Sequence, residues 1–273
     1  MSQPLTSQPG RTFAPNPGAA PLASMVVAQG LMEARLLLRN GEQVVLALVI
    51  PLLLLTVGAV APGIDLGTQR RIDVLAPGIL ALAVMSTAFT SLAIATSFER
   101  RYGVLKRLGA SPLPRTGLLA GKLLAVAIVE ALQVAVVVPA AWLLGWRPGA
   151  GVACVAAAVL LVAAGTAAFG ALGLLMAGVL RAEATLAAAN LVYLLLLAGG
   201  ATLVPVQTYP AVMRPVIGWL PSGALAEGLR AAFSGGGGGG GGPAWGTIAG
   251  FAGILVGWAV AAAIATARTF RWE

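Results

Sequence analysis

Six long apolar segments, separated by shorter polar connections, follow one another from Val44 onward. About 20 mainly apolar residues form a helix long enough to cross a bilayer. The pattern therefore predicts an all-α membrane protein with six transmembrane helices. The predicted spans cover residues 44–60, 74–96, 117–144, 150–180, 184–205 and 244–267.

A helical period precedes the first span, at residues 25–40. At 100° per residue the apolar side chains share one side and the polar side chains share the other. This pattern favours an interfacial helix that lies on the membrane, and the alternative is a cytoplasmic extension of the first span. Residues 1–24 are rich in Pro, Gln, Ser and Gly, which predicts a disordered cytoplasmic tail before one transmembrane domain at residues 25–273.

The connection between the fifth and sixth spans, residues 204–233, is rich in proline and yet apolar. Its prolines exclude one long helix, while Val216, Ile217 and Trp219 would be costly to expose to water. Short helices that dip back into the outer leaflet satisfy both demands, so we expect an external re-entrant helical hairpin. A run of eight glycines, residues 235–242, then predicts a flexible tether to the sixth span.

The composition excludes an ordinary soluble domain. Hydrophobic residues make up 59% of the chain and charged residues 10%, against about 45–50% and about 25% in soluble domains. The net charge of +8 raises the question of nucleic acid, but the charges cluster at the ends of apolar segments. That placement indicates contact with membrane lipids and no nucleic-acid partner.

The basic residues also predict the orientation, because cytoplasmic connections carry an excess of Lys and Arg. With both termini in the cytoplasm, five of the seventeen basic residues are external: Arg70, Arg71, Arg147, Arg214 and Arg230. The cytoplasmic set is Arg11, Arg35, Arg39, Arg100, Arg101, Lys106, Arg107, Arg115, Lys122, Arg181, Arg268 and Arg271. This asymmetry favours an even number of spans.

The connection between the second and third spans carries a dense basic sequence that begins at Glu99. On a short helix, Tyr102 and Leu105 gather with Leu108 or Val104 on one side. The basic residues around them are Arg100, Arg101, Lys106 and Arg107. Apolar anchors with a charged rim suit docking into a groove of another protein. The need for basic residues in any cytoplasmic loop explains the presence of these charges, but it does not explain their order.

This connection resembles the coupling segment of permeases of type-2 ABC exporters, including actinobacterial drug-resistance exporters. In that family the segment has the form Glu-Arg-x-x-Gly-Thr-Leu-Lys-Arg-Leu-x-x-Ser-Pro, and Gly-Lys follows at the next span. The matching residues are Glu99, Arg100, Gly103, Val104, Leu105, Lys106, Arg107, Leu108, Ser111, Pro112, Gly121 and Lys122. Val104 replaces the usual Thr. A small-residue end to the fifth span and a proline-rich external hairpin, residues 199–230, are also similar.

The resemblance implies a permease that docks a cytoplasmic ABC ATPase subunit through residues 99–112 and pairs with a second permease, identical or homologous. It also implies export of a hydrophobic or amphipathic substrate, such as a drug, lipid or glycolipid, across a bacterial inner membrane. The nearest approach to a Walker A loop, residues 117–123, has the wrong spacing and Leu123 in place of the hydroxyl. ATP and Mg²⁺ are therefore expected on the partner, with no cofactor, metal or catalytic residue in this chain.

Polar residues within predicted spans are further candidates for function. Glu130 and Gln133 lie midway along the third span and Asn190 lies in the fifth. A charge at such depth is costly unless it faces protein or water. Each residue is a candidate for a hydrogen bond across the bundle, and equally for a role in the substrate path or at an interface. Glu130 is also a candidate for proton coupling.

Two other classes of protein are to be weighed. An intramembrane enzyme needs clustered nucleophiles, acids or metal ligands, and the chain has no histidine and no Gly-x-Ser-x-Gly. A proton-coupled secondary carrier usually shows an internal repeat and more intramembrane charge. The carrier remains the alternative, although it leaves the coupling segment unexplained.

Overall fold

The computed structural model describes residues 20–60, 70–108, 112–149, 151–234 and 242–269. These residues form helices and turns and no strand, which confirms the predicted all-α class. The α-helices are α1 (Leu22–Arg39), α2 (Gly41–Val60), α3 (Arg71–Val84), α4 (Leu92–Arg101), α5 (Val104–Leu108), α6 (Arg115–Leu143), α7 (Val152–Val179), α8 (Ala182–Gly199), α9 (Arg214–Trp219), α10 (Pro221–Ser234) and α11 (Trp245–Thr269). Most of the predicted tail and of the glycine run lies outside these ranges.

Among the described residues, five helices are long and apolar enough to cross a bilayer. They are Arg71–Arg101, Thr116–Leu143, Val152–Val179, Ala182–Gly199 and Trp245–Thr269. The shortest has 18 residues, which at 1.5 Å per residue is about 27 Å and close to the thickness of the hydrocarbon core. A further apolar stretch, Ala47–Val60, is shorter. The chain is therefore a multi-pass membrane protein.

The second predicted span belongs to a longer helix than the sequence indicates. A π-helical segment, Met85–Ser91, joins α3 to α4 into one helix, Arg71–Arg101, which passes the predicted end at Thr96. Within α3 Ile72 and every residue from Val74 to Val84 are buried, so this helix forms the centre of the bundle. The helices α2, α6, α7 and α10 pack around it.

The amphipathic helix α1 begins three residues before its predicted start and packs along α6. The two helices approach closely at Gly121, where an added Cβ would lie 2.8 Å from Cγ of Gln29. Asn40 leaves the helical conformation, with φ −79° and ψ 86°, so α1 ends before α2. Val27, Leu31 and Leu38 share one side of α1 and remain exposed. That apolar side is free to contact lipid.

The connection between α8 and α11 forms a 3-10 turn at Val206–Thr208 and then α9 and α10. One side of α10 is buried against α3, α7 and α11. The fifth predicted span ended at Pro205, whereas α8 ends at Gly199 because two consecutive glycines disfavour helix and Ala201 adopts a left-handed φ of 56°. This turn lies against α3, where a Cβ at Gly78 would meet the Thr202 carbonyl oxygen at 1.8 Å.

Candidate coupling site and buried polar residues

The predicted coupling segment divides at Gly103. This residue has φ +70°, a left-handed conformation that glycine adopts without steric cost and that commonly ends a helix. Glu99, Arg100 and Arg101 therefore form the last turn of α4, and α5 begins afterwards at Val104. The segment is the end of a long central helix followed by one short turn of helix.

The two arginines of α4 contact the connection between α7 and α8. The Arg100 guanidinium donates to the Gly178 carbonyl oxygen at 2.5 Å and to the Leu180 carbonyl oxygen. The last carbonyls of a helix have no partner within the helix, and a cation near them is favourable. Arg101 forms an ion pair with Glu183 in the first turn of α8. The end of α4 is thus attached to both α7 and α8.

A buried ion cluster joins the same turn of α4 to α1 and α6. Lys122 of α6 is 1% exposed, and its Nζ lies 2.5 Å from Oε2 of Glu99 and 3.2 Å from Oε2 of Glu33. The Gln29 side chain donates to Oε1 of Glu33 at 2.7 Å. Burial raises the pKa of the Glu33 carboxyl, and the Lys122 charge opposes that shift. We call these four residues the Lys122 cluster.

An exposed surface follows the cluster. Its members, which we call the α5 surface, are Tyr102, Val104, Lys106 and Arg107. The Tyr102 ring stacks on Phe98 of α4 with 6.1 Å between ring centroids. Leu105 is buried within the chain and Leu108 is half-buried, so neither is a fully exposed anchor. Pro112 is exposed, and Ser111 lies outside the described residues.

The polar residues of α6 bond to neighbouring helices. The Thr166 hydroxyl of α7 donates to Oε2 of the buried Glu130 at 2.6 Å, and its oxygen lies 2.9 Å from the Val162 carbonyl oxygen of the same helix. Gln133 accepts from Thr87 of the π segment at 2.9 Å and donates to the Ala47 carbonyl of α2 at 3.0 Å.

Asn190 differs from these two residues. It is exposed, and its amide donates to the Leu186 carbonyl of its own helix at 2.9 Å. The three intramembrane candidates therefore do not form one site. Within the described ranges no group of three or more His, Cys, Asp or Glu side chains could hold a metal ion.

Sequence reasoning did not identify Arg230, which it treated only as an external charge. The guanidinium donates to three backbone carbonyls. The distances are 2.8 Å to the oxygens of Ala201 and Thr202 and 3.2 Å to the oxygen of Val74. It also lies 2.8 Å from Oε1 of Glu227. The spacing of Glu227 and Arg230, three residues apart on one helix, was the available signal.

Glu33 and Gln29 were also missed as site residues. They are four residues apart on the polar side of α1, a spacing that brings side chains together on a helix. Their contact with Lys122 depends on the packing of α1 against α6, which no local pattern reports.

These features define a helical, multi-pass membrane protein whose central helix ends in an exposed charged turn. The pattern of the ABC-2 type transporter family matches residues 31–234, and the chain belongs to this family. It is a permease of an ABC transporter, a class of membrane subunit that works with an ABC ATPase. No curated protein matches the chain.

Proposed function

We propose that this chain is the six-span permease of an exporter in a bacterial inner membrane. It moves a hydrophobic or amphipathic substrate outward, driven by a separate ATPase subunit that docks on the α5 surface. The observation that carries this proposal is the attachment of the last turn of α4, which leads directly into the α5 surface, to four helices: α1, α6, α7 and α8.

Force applied to the α5 surface has a direct route into the bundle. The helix Arg71–Arg101 has 31 residues, about 46 Å at 1.5 Å per residue, and runs through the centre of the fold. Arg100 and Arg101 attach its end to α7 and α8, while Glu99 attaches it through Lys122 to α6 and α1. Closure of the ATPase subunits would displace these helices together.

The proposed topology adds α2 to the five spans, as the first of six along the chain. It has 20 residues, about 30 Å of helix, and an apolar composition. An even number of spans places both termini on one side, and the distribution of basic residues places that side in the cytoplasm. The helices α9 and α10 then form the external re-entrant hairpin, with α10 packed into the bundle.

The proposal assigns the binding of ATP and Mg²⁺ to the partner. The segment that most nearly approaches a Walker A loop lies inside α6, where the backbone N–H groups of Gly121 and Lys122 bond within the helix. The Lys122 ammonium is held by two carboxylates and cannot serve a phosphate. A second permease, identical or homologous, completes the transporter.

Affinity purification of the chain from its native membrane, with mass spectrometry of the copurifying proteins, tests this function. We expect a roughly equimolar subunit with a Walker A sequence. The double variant Lys106→Glu/Arg107→Glu reverses two exposed charges of the α5 surface and should reduce recovery of that subunit at least tenfold. The control is Arg70→Glu, an exposed charge before α3, which should leave recovery unchanged.

The same preparation separates the exporter from the carrier. A homogeneous chain that copurifies with no ATPase and moves substrate in response to a proton gradient would overturn the proposal. It would assign the chain to proton-coupled secondary transport.

A further inference from the structure

A cavity of about 160 Å³ lies beside the Lys122 cluster, between α1, α6 and the central helix. Its rim includes Leu36 and Asn40, which are exposed. Its floor includes Thr87, Lys122 and Val126, which are buried. The cavity therefore runs from the surface of the chain to the buried charges.

The cavity lining is apolar on one side and charged on another. Leu36, Leu37 and Leu92 provide an apolar wall, while Glu33 and Glu99 provide carboxylates near Lys122. Thr87 and Ser91 of the π-helical segment line the same space. Short π-helices occur frequently at functional sites, which is an observation independent of the charges. Such a lining fits an amphiphile with a polar head.

The charge of the cluster selects the sign of that head. One ammonium faces two carboxylates, so the fully ionised cluster carries a formal charge of −1. An uncompensated charge away from water is costly, and each carboxylate has lone pairs beyond those used by Lys122 and Gln29. A second cation relieves this cost, whereas an anion is repelled.

We propose that the cavity binds the ammonium group of an amphiphile, with the ammonium between Glu33 and Glu99 and the apolar chain along the leucines. The ammonium group can belong to a free alkyl amine or to an aminophospholipid. That such an amphiphile is the exported substrate rests on the proposed function. The binding itself does not, because it needs no ATPase.

Photolabelling of the purified chain in phosphatidylcholine nanodiscs tests the site. The probe is a long-chain primary amine that carries a diazirine on its alkyl chain. Mass spectrometry should find the label on peptides that contain Leu36, Leu37 or Leu92. Dodecylamine should compete with the probe, whereas dodecanol and dodecanoate should not, because the first lacks the charge and the second has the wrong sign.

A short-chain phosphatidylethanolamine separates the two sources of the ammonium group. Competition by this lipid at lower concentration than dodecylamine assigns the site to a lipid head group. The reverse order assigns it to a free amine. Either order supports an ammonium site, and competition by neither compound overturns it.

Two variants locate the binding determinants. Glu33→Gln removes the excess negative charge but leaves the Lys122–Glu99 pair intact, and it should weaken competition by dodecylamine at least tenfold. Ala95→Phe fills the cavity without changing its charge and should reduce labelling to a similar extent. The matched control Asp73→Asn removes a carboxylate at the start of α3, in an exposed ion pair with Arg70, and should have no effect.

Equal labelling by an alcohol probe, or labelling that survives both cavity variants, would overturn the ammonium site. Neither result bears on copurification of an ATPase, so failure of this inference is distinct from failure of the proposed function.

Discussion

Two buried cations hold this fold together in different ways. Arg230 donates to three backbone carbonyls and to a carboxylate three residues away on its own helix. Lys122 instead contacts two carboxylates on side chains from two other helices, α1 and α4. Backbone carbonyls cannot rotate away from a cation, whereas side chains can follow or release it.

The difference fits the proposal that the docking end of the bundle moves during transport. Arg230 locks α3, α10 and the turn after α8 into one arrangement. The Lys122 cluster lies next to the proposed docking surface and can persist through small displacements of α1, α4 and α6. We therefore expect loss of Arg230 to affect mainly folding, and loss of the Lys122 cluster to affect mainly coupling.

Arg230→Met should have the largest effect on stability. It leaves Glu227 without its cation and removes one donor from each of three backbone carbonyls, at a cost of about 3–5 kcal/mol. Thermal unfolding in mild detergent measures the loss. Arg70→Met removes an exposed ion pair and should cost at most about 1 kcal/mol. Similar unfolding temperatures for the two variants would contradict the role given to Arg230.

Lys122→Met should cost less, about 2 kcal/mol, because the Glu33 carboxyl that remains can take up a proton. Loss of the nearby positive charge makes ionised Glu33 more costly. The stability deficit should therefore grow as the pH rises from 5 to 8, in the same unfolding assay. Lys106→Met, at an exposed site, is the control and should show no such trend.

Gln133→Leu should cost about 1 kcal/mol, since it leaves Thr87 and the Ala47 carbonyl without their partner. Asn190→Leu should have almost no effect, because Asn190 is exposed and bonds only within its helix. Chemical denaturation of both variants in detergent makes the comparison. An equal loss in both would show that Asn190 has a partner outside the chain.

Glu33→Gln should change the pH profile of stability by a few tenths of a kcal/mol. The pKa of Glu33 is raised on folding, so its contribution is fully present below the unfolded value and is lost as the pH rises through the folded value. The variant should therefore lose less stability than the natural chain between pH 5 and 8. Glu183→Gln is the exposed control, and an unchanged profile in Glu33→Gln would contradict the raised pKa.

Local sequence patterns predicted the helices well, because apolar length and period depend on neighbouring residues alone. The amphipathic α1 and the proline-rich helices α9 and α10 are examples. The π-helical segment Met85–Ser91 was not predicted, since its residues read as ordinary span residues and only packing selects the wider turn.

The sites were less predictable. The sequence singled out Glu99 and Lys122, but not that they bond to each other, and Glu33 joins them only because α1 packs on α6. Arg100 was expected on a docking surface, whereas it contacts the end of α7. Asn190 was a candidate for a bond across the bundle, for the substrate path or for an interface, and within the chain its amide bonds only to its own helix. Apolar residues surround it on the helix, so the sequence does not indicate which side faces protein.

The central claim is that the end of α4 transmits motion from the ATPase to the spans. The most direct measurement is substrate transported per ATP hydrolysed in proteoliposomes that contain the chain and its ATPase, with Arg100→Gln compared with the natural chain. We expect the variant to retain ATP hydrolysis and to transport at least tenfold less substrate per ATP. An unchanged ratio, in protein shown to be folded by size-exclusion chromatography, would contradict the claim.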